Sequence, residues 1–255
     1  GIMKHIGTGT QKVEEELHAL FPGAKVLRMD TDTVGASHGH EKLLRQFEEE
    51  KIPILLGTQM VAKGLDFENV TLVGVLCADA SLYIDNYRAP ERTFSLLSQV
   101  VGRAGRGSKQ GRAIIQTFTP ENEVIRAAAA QDYDAFYESE IRMRRLRRYP
   151  PFADLFSFTV TGADESRVIR AAKALRDALG YAVERREELK PLSIEVLGPA
   201  GASVVKVNNR YRYRVFLVGK GCPALRRLVA EYLYAFYQHK ENRGLDIFAD
   251  CNAIQ

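Results

Sequence analysis

Apolar segments that predict strands alternate with amphipathic segments that predict helices along the first half of the chain. Four segments are apolar with little alternation and therefore predict buried strands, namely AKVLRMD, IPILLGTQ, VTLVGVLCAD and GRAIIQTF. Helices are predicted for GTGTQKVEEELHALFPG, with Thr10 as its cap, for HEKLLRQFEEEK and for PERTFSLLSQVVGRAG. Non-alternating strands separated by helices predict an α/β fold with a parallel sheet covered by helices on both faces.

The pattern changes after a double proline. Residues 121–148 predict one long helix, which ends at Tyr149-Pro150-Pro151. Beyond it, helices are predicted for SRVIRAAKALRDALGYAVERREEL and PALRRLVAEYLYAFYQHK, and strands for LFSFTVTG, SIEVLGP, ASVVKVNN, YRYRVFLVG and LDIFADCNAI. The order strand, helix, strands, helix, strand is that of a ferredoxin-like α+β domain. We therefore expect a first domain over residues 1–120, a helical connector over 121–150 and a second domain over 151–255.

Charge and cysteine content exclude only a few classes of function. The 255 residues carry 36 basic and 32 acidic side chains, a net charge of +4 that permits a nucleic-acid partner without requiring one. Cys77, Cys222 and Cys251 are far apart, so neither a disulfide framework nor a zinc site is expected. Neither a membrane-length apolar segment nor a signal peptide is visible, so we expect a cytoplasmic protein without a membrane partner. The opening GIM is typical of a cloning remnant, and we expect a fragment.

The stretch LLGTQMVAKGLDF follows a buried strand and is polar at several positions. It therefore lies at the carboxyl end of a parallel sheet, where open α/β folds bind ligands. Thr58 and Gln59 offer hydrogen bonds, Lys63 places a cation beside Gly64, and Asp66 can orient an arginine or a water molecule. Such a loop can hold a phosphate backbone without reading bases, and the alternative is an ordinary polar loop.

A second informative stretch, QVVGRAGRG, ends an apolar helix with Gln99, Arg103 and Arg106 among small residues. The planar fork of arginine suits phosphate oxygens. An arginine supplied from outside a nucleotide pocket can also neutralise the charge on a transferring phosphoryl group. The alternative is a basic helix terminus that interacts favourably with the helix dipole.

Together these two stretches resemble motifs V and VI in the second RecA-like lobe of superfamily 2 helicases. The resemblance implies that Thr58, Gln59 and Lys63 grip the nucleic-acid strand. It also implies an ATP site across a cleft between two lobes. On the side of this chain, that site comprises Gly64, Asp66, Gln99, Arg103 and Arg106. Arg106 is expected to be the arginine finger, and Arg103 its companion at the γ-phosphate.

Longer stretches, among them YPPFADLFSF and RYRYRVFLV, resemble one family of that superfamily, the bacterial replication-restart helicases. The resemblance implies the second lobe and C-terminal domain of an ATP-dependent 3′-to-5′ DNA helicase that recognises stalled forks and assembles the primosome. It also implies ATP and Mg²⁺ between the lobes of the full protein, and zinc in an insertion that precedes GTGT. The sequence has no GxxxxGK(S/T) phosphate loop, no DExH-type pair of metal-binding acids and no paired cysteines, so we expect this fragment alone to hold no cofactor and to be inactive.

The stretch KVNNRYRYRV interleaves cations and aromatic residues. Strand alternation would place Arg210, Arg212 and Arg214 on one face, and Tyr211 and Tyr213 on the other. An exposed arginine face can bind a nucleic-acid backbone and tyrosines can stack bases, whereas the alternative buries the tyrosines and leaves the arginines merely solvated. The resemblance favours DNA binding by this stretch, including Lys206.

The partners implied by the resemblance are forked and single-stranded DNA, the single-stranded-DNA-binding protein and other primosome proteins, in the nucleoid region of the cytoplasm. The five arginines of RMRRLRR can contact DNA, form salt bridges between lobes or lie on a solvated face. Two other functions stay open. One is a non-catalytic adaptor that binds fork DNA and recruits primosome proteins, and the other is an RNA-directed member of the superfamily.

Overall fold

The computed structural model describes residues 9–30, 39–58, 70–102 and 111–253. The chain divides into two compact units. The first unit comprises Gly1–Ile84 and Arg88–Glu138, and the second comprises Asp85–Tyr87 and Ser139–Gln255. The domain boundaries expected at residues 120 and 150 stay a prediction.

The first unit contains the predicted parallel strands. Strand β1 (Val26–Met29) pairs in parallel with β2 (Ile54–Gly57), and β3 (Leu72–Val75) pairs in parallel with β4 (Arg112–Ile115). Within the described residues each sheet has two strands. The helices before, between and after these strands are α1 (Thr10–Leu20), α2 (Gly39–Glu49), α3 (Asp79–Leu82), α4 (Ala89–Val101), α5 (Glu123–Ala130) and α6 (Tyr133–Arg147), which extends into the second unit. The α/β class expected from the sequence is confirmed.

One apolar face fixes helix α4 in the first unit. Phe94, Leu97 and Val100 recur at three-residue spacing and are buried, as the helical period requires. The Phe94 ring stacks on Phe136 of α6 with 4.2 Å between ring centroids, and Leu97 belongs to the same core as Ile125 of α5. The opposite face of α4 is therefore held towards solvent.

Two local expectations about the first unit are wrong. Thr10 is the first residue of α1 rather than its cap, because Gly9 holds the cap position and the Thr10 hydroxyl donates to Asp30 Oδ2 at 2.6 Å. The helix expected over residues 121–148 is interrupted at Gln131, whose φ of 54° lies in the left-handed region and ends α5. The Asp132 carboxylate then accepts a hydrogen bond from the Ala135 amide at 2.9 Å and caps the new helix.

The second unit has the predicted ferredoxin-like topology. Its antiparallel sheet has the strand order β6-β7-β5-β8, in which β5 lies between β7 and β8 and is separated from β6, the next strand of the chain, as the split βαβ arrangement requires. Its elements are β5 (Asp154–Gly162), α7 (Glu165–Arg185), β6 (Glu195–Val207), β7 (Arg210–Gly219), α8 (Pro223–Gln238) and β8 (Asp246–Cys251). Phe158 of β5, Leu179 of α7 and Leu228 of α8 are completely buried in one core. The helices therefore cover one face of the sheet.

Strand β6 is longer and less regular than expected. Two strands were predicted here, and the structure has one strand of 13 residues with register shifts between Leu197 and Ala200 and between Gly201 and Lys206. At the first shift Gly198 has a φ of 99°, and a Cβ atom there would lie 2.7 Å from the Arg214 carbonyl oxygen. Glycine therefore allows β6 to approach β7 closely at this point.

A buried carboxylate joins the segments that follow β3 and β4. Asp79, which is 5% exposed, accepts hydrogen bonds from the Thr117 hydroxyl at 3.0 Å, the Thr119 hydroxyl at 2.7 Å and the Phe118 amide at 2.9 Å. Burial raises the pKa of Asp79, but the bonds from Thr119, Phe118 and Thr117 outweigh it, so the pKa lies below its ordinary value. The ionised carboxylate thus holds together the carboxyl ends of two parallel strands.

We expect Asp79→Asn to destabilise the first unit by about 1–3 kcal/mol, because an amide cannot accept from all three donors. The folded pKa of Asp79 is lowered, so its stabilisation is complete above the unfolded pKa of about 3.9 and is lost as the pH falls through the folded value. Thermal denaturation from pH 7 to pH 3 should show the gap between wild type and variant closing in acid. The control is Glu138→Gln, which changes an exposed carboxylate of the same unit. A gap that is constant with pH would contradict this role.

Candidate nucleic-acid interface

The first group of predicted site residues lies after strand β2. Thr58 directly follows the last residue of β2 and is exposed, at the carboxyl end of the strand as expected. Gln59, Lys63, Gly64 and Asp66 lie outside the described residues. The structure therefore locates only the beginning of this loop.

The second group lies at the end of helix α4. Gln99 is exposed on the last turn, and its side-chain amide donates to the Ser95 hydroxyl at 3.3 Å one turn earlier. The Gln131 side chain donates to the Ser98 carbonyl at 3.3 Å and so contacts the same turn. Arg103 and Arg106 lie outside the described residues. Packing of the apolar face thus leaves Gln99 free of the core, on the turn that leads to the two arginines.

The third group lies on strand β7, and its alternation is as expected. Arg212 pairs with Thr161 and Arg214 with Thr159, and directly opposite residues of an antiparallel pair share one face of the sheet. Tyr211 and Tyr213 pack against the core on the helix side. The hydroxyl of Tyr213 donates to Glu165 at 2.8 Å, and this bond raises the pKa of Tyr213. The arginines therefore share the face that the helices do not cover, which we call the arginine face (Arg210, Arg212 and Arg214).

The three arginines of the arginine face have different partners. Arg210 donates to the Thr161 hydroxyl at 3.1 Å and forms an ion pair with Asp246, so its charge is balanced within the sheet. Arg212 donates through Nε and Nη2 to the Val204 carbonyl oxygen at 3.1 and 2.8 Å. A carbonyl satisfies donors without neutralising the charge. Arg212 therefore keeps a net positive charge at a half-buried position.

Arg214 is the least satisfied cation of the arginine face. Its Nε atom is buried and has no hydrogen-bond partner among the described residues. Burial lowers the pKa of Arg214 and the neighbouring Arg212 lowers it further, whereas Asp85 and Asp250 act in the opposite direction. A guanidinium group stays charged in proteins under these conditions. Arg212 and Arg214 together thus form a region of positive potential that an anion can compensate.

Lys206 and Tyr211 form a pair on the other side of the same hairpin. Lys206 lies opposite Tyr211 in the register of β6 and β7, and its Nζ atom is 4.7 Å from the centroid of the tyrosine ring. This is the geometry of a cation–π contact. Tyr211 therefore positions the lysine charge, and its ring is occupied by that contact and by the core.

A bulge in β6 lies beside the arginine face. Gly201 pairs with Tyr213 and Lys206 pairs with Tyr211, so the four residues 202–205 of β6 lie opposite Arg212 alone. The backbone of β6 therefore bends outward there. Val204 is 56% exposed, and its carbonyl is the group that Arg212 holds. The sequence analysis missed this bulge. The only sequence signal is that GASVV does not alternate between polar and apolar residues.

The arginine run before the double proline braces the second unit. Arg144 forms an ion pair with Glu140 at 2.7 Å, and the Arg145 guanidinium lies 4.9 Å from the centroid of the Phe152 ring. Arg148 donates to the Ser193 carbonyl at 2.6 Å. These three arginines make contacts within the second unit, whereas Arg142 and Arg147 are exposed.

The part of the chain that the structure describes contains neither a candidate metal site nor a candidate membrane span. No cluster of histidine, cysteine, aspartate and glutamate side chains there has an arrangement that would hold a metal ion. None of its helices combines the length and the apolar character that crossing a membrane requires.

Comparison with known proteins identifies relatives for both units. Residues 7–108 match the family described as helicase conserved C-terminal domain, and residues 145–252 match the family described as primosomal protein N C-terminal domain. The replication restart protein PriA of Bacillus subtilis is 41% identical over 250 residues, which cover 98% of this chain and 30% of the relative.

Two further relatives have the same name. The replication restart protein PriA of Synechocystis sp. is 40% identical over 215 residues, which cover 84% of this chain and 25% of the relative. The replication restart protein PriA of Treponema pallidum is 38% identical over 230 residues, which cover 90% of this chain and 34% of the relative. The chain thus spans between a quarter and about a third of the length of these relatives.

We expect Arg212→Ala to release the β6 bulge, because the Val204 carbonyl loses both of its guanidinium donors. Hydrogen–deuterium exchange should become faster at residues 202–206, with the core strand β5 unchanged. The control is Arg227→Ala, which removes an exposed arginine of α8 from the same unit. Equal exchange at the bulge in both variants would mean that Arg212 does not hold it.

Proposed function

Because the chain belongs to the PriA family of replication restart proteins, we propose that it forms the second motor lobe and the C-terminal domain of an ATP-dependent 3′-to-5′ DNA helicase. This helicase would recognise stalled replication forks and restart replication by assembling the primosome. The observation that carries the proposal is the order of the matches. The helicase match falls on the unit with parallel strands, and the primosomal match falls on the ferredoxin-like unit with the arginine face.

ATP is the proposed substrate of the motor, bound with Mg²⁺ between this lobe and a first lobe. Arg106 stabilises the charge that develops on the γ-phosphoryl group, Arg103 contacts the same phosphate, and Gln99 lies beside them. Gly64 and Asp66 complete the ATP contacts on this side. The buried face of α4 supports this role, because it holds the exposed turn that carries Gln99 in a defined orientation.

Zinc is assigned to an insertion outside this sequence, and the fragment by itself is proposed to bind no cofactor and to be inactive. A lobe without a phosphate loop supplies only half of an ATP site. Catalysis of phosphoryl transfer consists mainly of positioning and electrostatic stabilisation from both sides of the nucleotide. Arginines from one side therefore cannot support turnover alone.

DNA is proposed to contact both units. In the first unit, Thr58, Gln59 and Lys63 grip the translocating strand through its phosphates. In the second unit, the arginine face and the pair of Lys206 and Tyr211 bind the backbone of forked or single-stranded DNA. The unneutralised charges of Arg212 and Arg214 support this assignment, since phosphate neutralisation supplies most of the sequence-independent affinity for nucleic acid.

The remaining partners are proposed from the family. They are the single-stranded-DNA-binding protein and other primosome proteins. The proposed location is the bacterial cytoplasm, in association with the nucleoid.

In a full-length protein that carries this sequence, we expect Arg106→Ala to lower the kcat of DNA-stimulated ATP hydrolysis by about 10³-fold or more, because an arginine finger contributes that much. The measurement is steady-state ATP turnover with saturating single-stranded DNA. Arg126→Ala is the matched control, since Arg126 is an arginine of the same unit with 69% of its side chain exposed. Near-normal turnover by Arg106→Ala would favour the non-catalytic adaptor instead.

We expect Arg212→Gln combined with Arg214→Gln to weaken binding of single-stranded DNA and to reduce the slope of log K against log salt by about 1.4, because two phosphate contacts are lost. Glutamine is chosen because it keeps an N–H donor for the Val204 carbonyl while removing the charge. Fluorescence anisotropy of the chain at several salt concentrations measures the slope. The matched control is Arg226→Gln combined with Arg227→Gln on α8, where both arginines are exposed. An unchanged slope in the β7 variant would remove the arginine face from the DNA interface.

A further inference from the structure

Strand β8 places an exposed aromatic ring on the same side of the sheet as the arginine face. Phe248 is 47% exposed, whereas its neighbour Ile247 is buried in the core that the helices cover. Side chains alternate along a strand, so Phe248 lies on the side that the helices do not cover, which we call the open face. The ring is therefore accessible to a ligand on that face.

Phe248 and Arg214 lie in one row across the sheet. Thr159 of the central strand β5 pairs with Arg214 on one side and with Phe248 on the other. Neighbouring strands are about 4.8 Å apart, so about 10 Å separates the backbones of Arg214 and Phe248. Thr159 between them is buried. A ligand on the open face therefore meets the longer side chains of β7 and β8 before it reaches β5.

The two sides of this row have opposite charges. Strand β7 contributes the guanidinium groups of Arg212 and Arg214 to the open face. On β8, Asp246 and Asp250 lie two positions before and after Phe248, so both share its face. Asp246 is already part of an ion pair, and Asp250 is exposed. A phosphate is therefore attracted to β7 and repelled from β8, where an uncharged ring can lie beside Phe248.

A nucleotide of a single strand has the same division of chemistry. Its phosphate carries the negative charge, and its base is a flat ring without net charge. Aromatic side chains on a four-stranded sheet stack bases in RNA-recognition modules, and every base has a π-face that can stack. A base inside a duplex is already stacked on its neighbours. The open face thus suits an unpaired strand.

We propose that Phe248 is a base-stacking residue, and that Arg212 and Arg214 hold the phosphates of the same stretch of single-stranded DNA. This inference rests on the proposed function, because it takes the arginine face as a DNA surface. It adds an orientation across the sheet, in which the backbone of the DNA lies along β7 and its bases point towards β8.

The first test compares two oligonucleotides of equal length, one of deoxythymidines and one without bases, by fluorescence anisotropy with the 255-residue chain at low salt. Phe248→Ala should weaken binding of the deoxythymidine oligonucleotide about tenfold, as the loss of one stacked base does. Binding of the abasic oligonucleotide should agree with wild type within about twofold, because the phosphate contacts remain. The slope of log K against log salt should not change, for the same reason.

Two further variants separate stacking from packing. Phe248→Leu keeps an apolar side chain but has no π-face, so it should lose the same affinity as Phe248→Ala. Tyr234→Ala is the matched control, because Tyr234 is a 73%-exposed aromatic residue of helix α8 in the same unit. It should bind both oligonucleotides like wild type.

The second test uses the absence of tryptophan from the sequence. Phe248→Trp keeps a flat aromatic ring and introduces a single fluorescent reporter, which a stacked base should quench. Quenching should occur with the deoxythymidine oligonucleotide and not with the abasic one. Tyr234→Trp places the same reporter on α8, where neither oligonucleotide should quench it.

Wild-type affinity in Phe248→Ala, or an unquenched Phe248→Trp with DNA bound, overturns the stacking while the arginine face stands as the DNA surface. An equal loss of affinity for both oligonucleotides also overturns it, because the lost contact is then not to a base. If the wild-type chain binds neither oligonucleotide, the proposed DNA surface is overturned and the stacking falls with it.

Discussion

Burial of Val215 and Leu217 against the helices of the second unit decides on which face of the sheet the other residues of β7 lie. Side chains of a strand alternate between faces, so a slip by one residue would exchange the tyrosines and the arginines. Both residues are completely buried, and Phe158 of the neighbouring strand lies in the same core. The hydrophobic core therefore determines the electrostatic character of the open face, although no charged residue takes part in it.

The arginine face shows how similar side chains acquire different roles from their neighbours. Arg210 is balanced by Asp246 and stabilises the junction of β5, β7 and β8. Arg212 uses its donors to shape the β6 bulge, and Arg214 lies partly desolvated, with no hydrogen-bond partner for Nε in the part of the chain that the structure describes. A half-buried cation that forms no ion pair among the described residues is costly for the isolated chain, and a phosphate ligand would supply the missing negative charge.

In the first unit, burial of the apolar face of a helix likewise decides which polar residues are exposed. The buried stripe of Phe94, Leu97 and Val100 orients α4, and its exposed face then presents Gln99 on the turn that precedes the glycine-rich segment in the chain. The spacing of Gln99, Arg103 and Arg106 along the chain could be recognised from the sequence alone. The burial of Phe94, Leu97 and Val100 follows the helical period.

Element types and their order were determined by the sequence alone. Non-alternating strands, alternating strands and helical periods lead to parallel pairing in one unit and to the ferredoxin-like order in the other. Tertiary structure decided where that regularity is interrupted. The break at Gln131, the bulge at residues 202–205, the Thr10–Asp30 bond and the position of Asp85–Tyr87 all departed from or escaped the sequence pattern. The physical reason is that periodicity reports the average burial of a segment, whereas these features each depend on one contact between residues distant in the chain or on one strained backbone angle.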